Sequence, residues 1–116
     1  MAYRDLKVYQ MSYQQALIVH RKTLEFPKSE QYELASQLRR ATKSIPANLA
    51  EGMGKQQSNA EVRRYLYICL GSCDESSVWI EFCKDLGYLQ LIEHDQWRGV
   101  YTEIGKMLRG LIARYE

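Results

Sequence analysis

Cys69 and Cys73 stand four residues apart, a spacing that places two thiols on one helical face where they could hold a metal ion. Cys83 and His20 would have to complete the set. A structural zinc site needs four ligands, usually from two close cysteine pairs, and here one pair falls within an apolar stripe. Buried reduced thiols behave as small hydrophobes, so the expectation is packing, with no metal and no cofactor. Glu93, His94 and Asp95 cluster three further ligand types near a helix start, where acids are favoured by the helix dipole alone, and they read as solvated surface. "GMGK" at 52–55 has the look of a phosphate loop but lacks the rest of the motif and the strand before it. Neither G-x-S-x-G nor H-E-x-x-H occurs. Glu51 is the remaining candidate for acid–base chemistry, but no second acid or histidine accompanies it at a useful spacing. Asn48 and Glu51 share a helical face just beyond Pro46. With Arg39 and Arg63 they are expected to form a polar clasp that steadies the backbone there, because a carboxylate near a core stripe needs a partner. The expectation is a non-enzymatic protein.

Charge points elsewhere. Residues 1–64 carry 11 Lys/Arg against 6 Asp/Glu, a net of +5, whereas residues 65–116 carry 5 against 8, a net of −3. Between 39 and 64 there are six basic residues and two acidic ones, Glu51 and Glu61. Arg40, Lys43, Lys55 and Arg64 are the candidates for contacting a nucleic-acid backbone, Arg40 and Lys43 first because they lie farthest from the inner stripe. Such contacts give salt-sensitive affinity with little sequence preference.

Four segments of helical periodicity must position these groups. The first, about 6–24, repeats Leu6, Tyr9, Tyr13, Leu17, His20 and Leu24 and ends before Pro27. The second, about 30–53, repeats Leu34, Leu38, Ala41, Ile45, Leu49 and Gly52, with a kink expected at Pro46, which cannot donate to the Thr42 carbonyl. The third opens on Ser58 with Glu61 three residues later, a capping-box pattern, and closes at Gly87. The fourth, from about 93, repeats Trp97, Tyr101, Ile104, Leu108 and Leu111. Short connections between long helices predict one all-α domain over 1–116, an antiparallel up-down four-helix bundle. No apolar run is long enough to cross a bilayer and no export signal is visible, so a cytoplasmic protein with reduced thiols is expected.

The third helix carries a second apolar face. Ile68, Val78, Trp79 and Phe82 lie opposite its inner stripe, and a helix apolar on two faces is usually covered on both. Another copy of the chain is the simplest cover.

"SQLRRATKSIPANLAEGMGK" followed by "RRYLYICLGSCDESSVWIEFCKDLGYL", with "YRDLKVYQ", "FPKSEQYEL" and "IGKMLRGLI", resembles the bacterial four-helix-bundle proteins first noticed as open reading frames within intervening sequences of 23S ribosomal RNA genes. The resemblance spans nearly the whole chain. It implies a ring-shaped homopentamer of antiparallel bundles. A related branch is the accessory protein of diversity-generating retroelements, which implies RNA or DNA, and a reverse transcriptase or other protein partner, as ligands of basic surfaces. Cys69, Cys73 and His20 depart from the family's usual apolar or aromatic residues, and "QLIEHDQW" lacks the expected Ser/Asp cap.

Overall fold

A computed structural model describes residues 2–116. Four helices account for most of them: α1 (Lys7–Thr23), α2 (Leu34–Met53), α3 (Asn59–Asp85) and α4 (Leu91–Arg114), with 3-10 turns at Tyr3–Asp5 and Lys28–Glu30. There is no strand among the described residues. α2 packs on α1 and on α3, α4 packs on α3 and closes against α1, and the diagonal pairs do not meet closely. Each helix therefore lies beside its sequence neighbours in an elongated body of 45 × 24 × 20 Å.

Local chemistry explains the boundaries. Ser58 Oγ accepts the Glu61 N–H at 3.3 Å and starts α3. The reciprocal half of the expected capping box is not made, because the Glu61 carboxylate turns to Arg64. Gly87, at φ +82°, reverses the chain after α3 in a conformation that side chains disfavour. The expected gap at the start of α4 is filled by Glu93, whose Oε1 accepts the Gln90 N–H at 3.2 Å, so a glutamine-headed turn does the work of a Ser/Asp cap. α2 begins four residues later than its pattern predicts, with a 3-10 turn taking residues 28–30.

The stripes predicted for α2 and α4 are the buried ones, with Leu38, Ile45, Leu49, Ile104 and Leu108 fully enclosed, and α3 encloses Val62, Leu66 and Ile80 against them. α1 differs. Its buried face is Val8, Ser12, Gln15, Ala16, Val19 and Thr23, while Tyr13 and Leu24 are exposed. Small polar side chains can enter the core here because their hydroxyls are satisfied locally: Ser12 donates to Tyr9 O and Thr23 to His20 O. Thr23 also accepts from Arg39 at 2.9 Å, tying α1 to α2.

At the α3–α4 interface, Glu81 accepts hydrogen bonds from His94 Nε2 at 2.9 Å and from Arg98, and Lys84 lies 3.3 Å away. His94 is buried and its Nδ1 meets the exposed Asp95 at 2.9 Å, so of the cluster Glu93, His94 and Asp95 it is His94 that enters an interhelical lock rather than standing on solvated surface. The His94 hydrogen bond, with the Lys84 bond, holds the Glu81 carboxyl at about 2, below its ordinary 4.5, against the opposing pull of desolvation. A carboxylate whose folded pKa is depressed stabilises the fold above its unfolded pKa and loses that contribution as pH falls through the folded one. Wild type should therefore be more stable than Glu81→Gln at neutral pH, and the gap should close as pH falls from 4.5 towards 2. Acid unfolding followed by circular dichroism measures this, and a gap independent of pH would sink the assignment.

Candidate nucleic-acid and assembly surfaces

The basic candidates separate into free and engaged groups. Arg40 and Lys43 are exposed on α2, and neither has a hydrogen bond or ion pair among the described residues. Lys55 is half-buried in the loop after α2. Arg64 is exposed but not free: it pairs with Glu61 at 3.2 Å and stacks over the Tyr65 ring at 4.6 Å. The hydrogen bond and charge of Arg64 pull the Glu61 carboxyl below its ordinary range.

The polar clasp is not one cluster. Asn48 Nδ2 donates to Ser44 O at 2.8 Å and Ser44 Oγ at 3.0 Å, and Ser44 Oγ meets Ser72 Oγ at 2.7 Å, so the polar link across Pro46 runs to α3 through two serines. Glu51 is exposed to solvent and has no partner among the described residues; it needs none. Arg39 instead holds Thr23 and, at 3.1 Å, the Gln31 carbonyl. Arg63 bonds the Tyr115 carbonyl and anchors the end of α4. α2 passes through a buried Pro46 as one continuous helix.

The side chains expected to form the inner stripe of α1 line an open groove instead. Tyr9, Tyr13, Leu17 and His20 from α1 face Lys43, Pro46, Ala47 and Ala50 from α2 across a space of about 450 Å³. His20 Nδ1 is buried without a partner, and burial, then the charges of Lys43, Arg39 and Arg21, lower its pKa. Periodicity pointed to these residues but assigned them to the core; nothing in spacing alone says whether a stripe is covered by its own chain. On α3, Ile68, Val78 and Phe82 are 39%, 50% and 50% exposed. Trp79 is half-buried, donates to Glu75 at 3.0 Å and leans on the Phe82 ring at 5.7 Å.

The three thiols are buried and free. Cys69 donates to Ile45 O and Cys73 to Tyr101 O, each bonding an adjacent helix. Burial pushes Cys69 and Cys83 up to about 12 and Cys73 to about 11, which keeps them protonated packing groups. No helix among the described residues is long and apolar enough to cross a membrane.

These features define an all-α protein of four helices, with a basic strip on α2 and apolar side chains left uncovered on α1 and α3. The model of the 23S rRNA-intervening sequence protein family matches residues 4–110, and the chain belongs to that family. A crystal structure of a protein of unknown function from the S23 ribosomal protein family of Bacteroides thetaiotaomicron has the same fold, with a TM-score of 0.85 and 24% identity, over 97% of this chain and 99% of that one. No protein of curated function matches the sequence.

Proposed function

We propose that this chain is a non-enzymatic, self-associating protein that binds the phosphate backbone of RNA or DNA through the outer face of α2. The observation that carries the reading is the pair Arg40 and Lys43, exposed on one helix with no carboxylate to neutralise them, while Arg39, Arg63 and Arg64 are engaged inside the protomer. Repetition of that strip around a homopentameric ring, the assembly its family resemblance implies, multiplies the field each phosphate meets. The family's description, an intervening-sequence protein of 23S rRNA, agrees with a nucleic-acid setting.

Anisotropy of labelled structured RNA with nuclease-treated protein tests the reading. Two phosphate contacts per protomer should weaken affinity about tenfold between roughly 50 and 200 mM salt, and more if several protomers engage one molecule. Absence of binding at the lower salt would refute it.

A second reading is a scaffold that binds a protein, such as a reverse transcriptase, without touching nucleic acid. The exposed Ile68, Val78 and Phe82 favour it. An apolar protein contact should change little over the same salt range, which separates the two.

A further inference from the structure

The protomer exposes two apolar surfaces of opposite shape and charge. The α1/α2 groove is concave because Ala47 and Ala50 leave space between the helices, with Tyr13 and Leu17 forming one wall. The α3 row of Ile68, Val78 and Phe82 projects from the bundle. From Tyr9 to His20 the groove extends about 17 Å, and from Ile68 to Phe82 the row extends about 21 Å, at 1.5 Å per helical residue. No acidic side chain lines the groove, Lys43 stands at its edge, and Arg21 is exposed on α1. The row is flanked by exposed Glu75, which makes no ion pair among the described residues, and Arg64, one turn before Ile68, is paired with Glu61 at 3.2 Å.

We infer that the α1/α2 groove of one protomer receives the α3 row of the next copy, head to tail. The occupant is a second copy of this chain, because the copy supplies both the apolar ridge and the acidic flank that the groove lacks. α1 and α3 occupy diagonal corners of the bundle, so groove and row face different directions. One copy cannot satisfy both faces of its partner at once, and every added copy leaves one groove and one row open until a ring closes. The inference rests on the self-association reading and assigns the surfaces that carry it.

Two variants test it by complementation. Ala47→Glu places an acid in the groove against the acidic flank; Phe82→Lys places a cation on the row against the basic groove. Both positions are exposed, and Tyr13→Glu replaces Ala47→Glu if that variant loses its helical signal. Light scattering at tens of micromolar protein reads the mass. The expected result is an assembled wild type, a monomer near 13.6 kDa for each variant alone, and a two-chain complex when the variants are mixed, built from the one intact groove and the one intact row. Wild-type-like assembly of Ala47→Glu would overturn the inference while leaving self-association standing; the contact would then be α3 on α3, or the groove would hold another ligand. A mixture that stays monomeric would also overturn it. A monomeric wild type would overturn self-association itself.

Discussion

Gly52→Val is expected to lower the unfolding free energy by about 3 kcal/mol, a loss of roughly 15 °C in melting temperature for a domain of this size. A Cβ at Gly52 would lie 2.8 Å from the Tyr65 Cβ. That atom is fixed by the α3 backbone and cannot swing aside, so the two helices must separate along the most extensive packing in the molecule. Alanine at the same position should cost less, about 1 kcal/mol, because its better helix propensity offsets part of the clash. Gly99 provides the internal control. Nothing lies within 4 Å of a Cβ there, so Gly99→Ala should gain close to 1 kcal/mol from helix propensity alone. Thermal melts of the three variants decide the point. A Gly52→Val protein that melts with the wild type would show that the helices are not in close contact.

The second large effect concerns binding. Reversing Arg40 and Lys43 to glutamate replaces two attractive charges per protomer with two repulsive ones. RNA affinity should fall about 100-fold or more, and the salt slope should shrink by about two per protomer engaged. Lys43 also edges the α1/α2 groove, so the assembly must be weighed alongside. Arg40→Glu alone separates the effects: it should weaken RNA binding while the particle mass stays unchanged. Unaltered RNA affinity in the double variant would move the interface away from α2.

Much of the fold was legible because its signals are local. Ser58, Gly87 and the apolar repeats of α2 and α4 act through the backbone within a few residues, so spacing alone places them. The buried side of α1 was not legible. Its more apolar stripe faces outward, and the core receives Ser12 and Thr23, whose acceptability depends on carbonyl acceptors one turn away and on Arg39 arriving from another helix. For the candidate site, exposure of Arg40 and Lys43 followed from their angle on the helix. The engagement of Arg64 did not, because a Ser58–Glu61 spacing serves equally for a reciprocal cap or for releasing the glutamate to a neighbour. The lock around His94 was missed because Glu81 reaches it from 13 residues away, across a turn whose geometry no pattern specifies.

The tight seam between α2 and α3 also bears on the order in which the chain becomes native. These helices are joined by a connection of only five residues, 54–58, and they make the most extensive contact in the fold. Closing so short a loop costs little chain entropy, so this hairpin is the natural nucleus, with α4 adding next and α1 sealing the bundle through a more sparsely packed contact with α4. Gly52→Ala should then slow folding more than it speeds unfolding, with a φ-value near one, whereas trimming Val19 on α1 should act almost wholly on the unfolding rate. A nascent chain released from the ribosome would carry a formed α2–α3 hairpin first, and the groove beside α1 would exist only once the last helix had docked.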